Sequence, residues 1–311
     1  RERQKMYSPL QEALTRKSFL LLFLLLVRKW NMTGLSLSFA VPKNMCCSSQ
    51  RSKVQCAQTG VSVLEAKNLC KVFKRKDLAD VVAVDDVSFS VYAGECLGIV
   101  GESGSGKSTI ANMIARLIEP TSGSLVLNGE DITQARGKDL RRVYQSVQMV
   151  FQNPAESFDP RKTLGQSITE GMRNMRVGKA EAQKRAKELL ELYQLPVSIL
   201  GRYPREVSGG QCQRAAIVRA LAMKPSLLIC DEATSALDVT VQRQIIDLLK
   251  RLRFELDMSL LFICHDLALV GGMCDRVLVM RSGKIVEQGS TKNVLFDSQT
   301  EYVKLLLSAM L

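Results

Sequence analysis

One junction constrains this chain more than any other. The apolar segment Cys96-Leu97-Gly98-Ile99-Val100 runs directly into Gly101-Glu102-Ser103-Gly104-Ser105-Gly106-Lys107-Ser108, and a helical pattern follows from Thr109 to Ile118. A strand, a glycine-rich turn and a helix in that order belong in an α/β domain. The glycines let the backbone curl until successive N–H groups converge, and the helix N-terminus adds partial positive charge. Such a cradle suits phosphate oxygens. At the spacing G-x-x-x-x-G-K-S, Lys107 is placed to reach the β- and γ-phosphates of a nucleotide and the Ser108 hydroxyl to bind Mg²⁺.

The rest of the chain from Val61 agrees. Val61 to Glu65 and Val82 to Tyr92 alternate as half-buried strands, and Asn128-Gly129 and Ser282-Gly283 read as hairpin turns. Between Thr163 and Leu195 the β-branched runs vanish; Lys179 to Leu192 has a charged face, which marks a helical insertion. Two apolar strands follow, Leu227 to Cys230 and Leu260 to Cys264, each succeeded by a helical pattern, as parallel strands with crossovers require. The first ends in Asp231-Glu232. Taken alone, that end reads equally as a turn whose Asp caps the next helix. Behind a phosphate loop the metal reading is favoured, with Asp231 beside Mg²⁺ and Glu232 polarising an attacking water as general base.

Phosphate loops serve kinases, GTPases and motor ATPases alike, so a third motif is needed to choose. Val207-Ser208-Gly209-Gly210-Gln211, followed by Cys212-Gln213-Arg214, resembles the signature of ATP-binding-cassette (ABC) ATPases, with Val where Leu is usual. Ser208 and the bare backbone at Gly209 and Gly210 would form a second anion nest at the start of a helix from Gln211 to Met223. The resemblance covers nearly everything from Val61 to Leu311. It implies a phosphate-loop ABC ATPase: a mostly parallel sheet core, an antiparallel β subdomain, and a helical subdomain over about 160–222.

The same resemblance assigns further roles. The nucleotide would be held by residues 101–109, Gly101 through Ser108 and Thr109. Gln152 resembles a Q-loop that touches Mg²⁺ and senses a membrane partner, Asp238 in Ser235-Ala236-Leu237-Asp238 resembles the D-loop, and His265, the single histidine, stands where the family has its switch histidine. Phe73 is similar to the adenine-stacking aromatic, with a core Phe as the alternative. In this family two domains pair head to tail, and each ATP lies between Lys107 of one and Ser208 to Gly210 and Gln211 of the other. The implied partners are a second ABC ATPase subunit as homodimer or heterodimer, two transmembrane permease subunits and an extracytoplasmic substrate-binding protein, at the cytoplasmic face of the inner membrane. Phe158-Asp159-Pro160-Arg161 and Tyr203-Pro204 resemble the oligopeptide, dipeptide and nickel importer branch, so peptide or nickel is the expected cargo. That branch commonly carries His-Pro-Tyr-Thr near its end, where this chain has Thr300-Glu301-Tyr302-Val303.

Composition separates the rivals. At 46% hydrophobic and 24% charged, 311 residues can bury a full core. The net charge of +12 suggests a nucleic-acid or membrane partner until its distribution is read: residues 1–60 hold ten basic and two acidic residues, leaving 33 against 29 in the remainder. With 5% aromatics and no basic-aromatic stripe, a soluble ABC ATPase acting on ribosomes or nucleic acid is the weaker alternative, and a phosphate-loop kinase leaves the signature unexplained. Nine cysteines with no C-x-x-C, and one histidine, give neither a disulfide scaffold nor a zinc cluster, which fits a reducing setting. The apolar run Phe19 to Val27 between basic residues resembles a signal h-region, but at about 1.5 Å per residue it is too short to span a bilayer core of roughly 30 Å. Residues 1–60 are expected to be a disordered or non-native leader, with export or anchoring as the alternative.

Overall fold

The computed structural model describes residues 60–75, 79–233 and 239–308. The expectation for the leader, residue 60 apart, and that for Asp238 lie outside them.

Two sheets enclose the core. The first is antiparallel, in the order β2-β1-β4-β5, from β1 (Ser62–Phe73), β2 (Val81–Tyr92), β4 (Ser122–Leu127) and the two-residue β5 (Glu130–Asp131). The second has six strands in the order β10-β9-β3-β8-β7-β6, formed by β3 (Cys96–Gly101), β6 (Val147–Val150), β7 (Leu227–Asp231), β8 (Ser259–Ile263), β9 (Arg276–Arg281) and β10 (Lys284–Ser290). All of its pairs are parallel except β9 with β10. Every residue of β3, β7 and β8 is buried, as continuous apolar runs in a covered parallel sheet demand. Between the sheets lies α1 (Lys107–Ile114), whose Ile110, Ala111, Met113 and Ile114 join Leu64, Val84, Leu97 and Ile99 in one cluster.

The strand β1 is longer than its alternation suggests, because register shifts around Asn68, at φ 49°, break the two-residue period that marks its first half. Helix α1 begins at Lys107, two residues before the expected Thr109, and stops at Ile114; Arg116 at φ 55° turns the chain away from the helical path toward Ile118. Both expected hairpins form, with Asn128 and Gly129 at φ 50° and 82°, and Ser282 and Gly283 at φ 48° and 83°, the left-handed pair that a two-residue turn requires.

After α2 (Gly137–Ser146) and β6, the chain enters a helical group: α3 (Leu164–Asn174), α4 (Lys179–Leu192), two short 3₁₀ turns at Val197–Gly201 and Pro204–Glu206, and α5 (Gly209–Leu221). Both α4 and α5 pack on α3. Thr163 caps α3 by accepting from the Gln166 N–H while the Gln166 side chain accepts from the Thr163 N–H. Helix α6 (Val239–Glu255) leads into β8, and α7 (Leu267–Met273), α8 (Thr291–Phe296) and α9 (Glu301–Ser308) complete the described chain. No helix among the described residues is long and apolar enough to cross a membrane.

Candidate nucleotide site

The buried strand β3 delivers the glycine-rich loop to the carboxyl edge of the parallel sheet, where α/β folds bind ligands. Two of its glycines are dictated by close backbone approach. A Cβ on Gly101, at φ 150°, would collide with the Met280 carbonyl, and one on Gly106, at φ 103°, with the Ala83 carbonyl. The loop is also held from outside: the Gly283 N–H donates to the Ser105 carbonyl at 3.1 Å, so the turn joining β9 and β10 braces it.

Lys107 folds back over the loop. Its Nζ donates to the carbonyls of Gly101 at 2.8 Å and Glu102 at 2.7 Å, and to Ser105 Oγ at 3.4 Å. Burial lowers its pKa, while Glu232 and Asp231 pull the other way. The ammonium is thus desolvated and held by neutral oxygens, and an anion entering the loop would be a stronger partner.

The adjoining strands supply the other side. Ser108 Oγ donates to Asp231 Oδ1 at 3.1 Å, tying the first turn of α1 to the end of β7. Asp231 is 8% exposed, and burial raises its pKa against the lowering effect of the Ser108 hydrogen bond. A buried carboxylate beside a hydroxyl is an oxygen donor set suited to Mg²⁺, which would relieve the cost of the charge. Next in sequence, Glu232 takes φ 45° and donates its N–H to the Ile263 carbonyl at the end of β8. Its carboxylate accepts from Gln152 Nε2 at 2.8 Å and lies 3.8 Å from His265 Nδ1. Gln152, Glu232 and His265 therefore converge from the ends of three adjacent strands.

The signature stands apart. Ser208 is the N-cap of α5, accepting from the Gln211 N–H while Gln211 Oε1 accepts from the Ser208 N–H. The helix begins at Gly209, two residues before Gln211, because this box closes its first turn. No hydrogen bond or ion pair among the described residues joins 208–211 to the phosphate loop. Phe73 ends β1, 41% exposed, with the Lys71 ammonium 5.2 Å from its ring centroid. Its register partner Val81 is two residues from Ala83, whose carbonyl backs Gly106, so the end of β1 lies along the strand that borders the loop. That exposure does not suit a core Phe.

Sequence reasoning missed the supports. Met280, Ala83 and Tyr302 approach the loop from distant segments, and only the Ser282-Gly283 turn left a readable trace. It also missed Arg219 of α5, which donates to the Ser157 carbonyl at 2.6 Å and Ser157 Oγ at 3.0 Å and stacks 4.4 Å from the Phe158 ring centroid. That contact fastens the segment after Gln152 to the helix capped by Ser208.

A parallel sheet that presents a glycine-rich loop, its lysine and an acid-ended neighbouring strand defines a phosphate-loop nucleotide-binding domain. The family described as ABC transporter matches residues 84–235. The oligopeptide transport ATP-binding protein OppF of Haemophilus influenzae is 44% identical over 73% of this chain and 69% of its own length; a peptide import ATP-binding protein of Brucella ovis is 41% identical over 81% and 80%. Among solved structures, the dimeric ATP-binding cassette MJ0796 in a post-hydrolysis state bound to ADP and Pi superposes with a TM-score of 0.67 at 28% identity, covering 73% of this chain and 98% of that one. This chain belongs to the ABC transporter family, as an ATP-binding and ATP-hydrolysing subunit.

Proposed function

We propose that the subunit powers peptide import through a partner permease at the inner membrane. Of the two cargoes implied by its sequence, peptide is the one carried by the names of its relatives. The observation that carries the catalytic reading is the convergence of Gln152, Glu232 and His265 beside the Ser108–Asp231 pair.

In this reading Lys107 turns from the loop carbonyls to the β- and γ-phosphates, and N–H groups of Gly104 to Thr109 hold the remaining oxygens. Ser108, Asp231 and Gln152 would hold Mg²⁺, which neutralises phosphate charge when bound. Glu232 takes a proton from the attacking water, and His265 and Gln152 orient the carboxylate and the leaving phosphoryl group. Phe73 stacks on adenine. Ser208, Gly209, Gly210 and Gln211 face the ATP of a second subunit, so hydrolysis removes contacts that bridge two chains and opens the pair. A cleft of about 790 Å³ bounded by Arg141, Tyr144, Gln148, Glu170, Asn174 and Arg219 flanks the segment after Gln152 and gives a permease element somewhere to seat.

The test is uptake of radiolabelled oligopeptides and of nickel by cells carrying the complete transporter, with native chain or Glu232→Gln. Peptide uptake lost in the variant supports the reading; peptide uptake unchanged, or loss confined to nickel, overturns it.

A further inference from the structure

The two glycines that open α5 have different surroundings. A Cβ on Gly209 would meet no atom of the described residues within 4 Å, whereas one on Gly210 would stand 2.9 Å from Val241 Cγ1 and 3.6 Å from Val241 Cγ2. Val241 lies in the first turn of α6, the helix that follows β7 and its Asp231-Glu232 end. The Gly210 peptide is held from a second side as well, since its carbonyl accepts from Arg214 Nε at 3.4 Å. Glycine is the poorest helix former after proline, so two of them at the start of a helix need a cause. For Gly210 the cause is inside the chain: a side chain of α6 fills the space that a Cβ would take. Valine is branched at Cβ and strongly prefers one χ1 rotamer in a helix, so its methyl does not swing clear at little cost.

We propose that Val241 is a positioning residue for the signature. Its methyl rests on the bare backbone of Gly210 and sets the first turn of α5 against the first turn of α6. The two glycines then divide the work: exposed Gly209 leaves room for what arrives from a second subunit, and half-buried Gly210 leaves room for its own chain. The Ser208 cap takes its station from the helix that follows Glu232, so the face a subunit offers to its partner is registered on its own acid-ended strand. The inference rests on the signature acting on the ATP of a second subunit, as in the proposed function.

The test is ATP turnover of the full chain as Gly210→Ala, as Val241→Ala and as the two together, at a temperature where thermal melts show every chain folded. Gly210→Ala drives a methyl into Val241 and Val241→Ala withdraws the brace; each should lower kcat, by about tenfold and about threefold. Together they set two small side chains face to face, and kcat should return to within about twofold of native, the non-additivity expected of residues in contact. The losses should fall on kcat and leave KM in place, because the phosphate loop is untouched. Should Gly210→Ala fail to fold, Val241→Ile crowds the same spot from α6 and should lower kcat in its stead. A double variant as slow as Gly210→Ala, native turnover in whichever crowding variant folds, or a loss carried by KM overturns the role of Val241. Ser208→Arg separates the two layers: native turnover there overturns the signature reading and this inference with it, whereas loss there without rescue in the double variant overturns this inference alone.

Discussion

Glu232 occupies backbone that few non-glycine residues accept. At φ 45° it holds a left-handed conformation, with its N–H bound to the Ile263 carbonyl and its carboxylate between Gln152 and His265. Strain of this kind costs of order 1–3 kcal/mol and persists where the surroundings over-determine it. Here it accompanies a carboxylate set between the side chains that follow β6 and β8. Glu232→Gln preserves shape and the hydrogen bond acceptor while removing the base. ATP turnover should fall by roughly 10²–10⁴-fold with ATP binding retained, and size-exclusion chromatography in ATP should show a trapped pair. Turnover equal to that of the native chain would remove Glu232 from the mechanism.

At the scale of elements, the key joint is between the segment after Gln152 and α5. Arg219 is half-buried, desolvation lowers its pKa, and it is held by Ser157 and the Phe158 ring. Arg219→Ala leaves the Ser157 carbonyl without its charged donor and should lower the denaturation free energy by about 2–3 kcal/mol. Gln152 should then respond less to the position of α5, so ATP turnover by the isolated subunit should survive better than transport by the assembled one. The sequence made the strands and the loop legible because β3, β7 and β8 are continuous apolar runs and two of the loop's glycines, Gly101 and Gly106, are demanded by backbone contact. It hid the joint, because an arginine in a helix 62 residues from Ser157 has no local signature. It hid the start of α5 as well: two glycines read as turn, yet the Ser208–Gln211 box winds them into a helix. The tie between β10 and the start of α9, where Glu287 accepts from the Thr300 N–H and hydroxyl, is likewise one that no period records.

For the whole molecule, the decisive question is whether one chain suffices. The phosphate loop and the Ser208 cap lie on separate elements with no polar contact between them, and each is half of a site in the head-to-tail arrangement proposed above. Chains carrying Lys107→Ala and chains carrying Ser208→Arg should each be inactive alone. Mixed, they form pairs in which one site combines the intact loop of the second with the intact cap of the first. About a quarter of native turnover should return, averaged over all pairs, since random association makes half of the pairs mixed and each mixed pair has one good site of two. No recovery on mixing would leave no place for paired sites in this subunit.

The grip of Lys107 on its own loop reaches furthest. Because Gly101, Glu102 and Ser105 each accept from the ammonium, an anion that draws Lys107 to itself must offer more than three neutral oxygens do. The seat is reserved for a guest bearing enough negative charge to outbid three oxygens that never leave home.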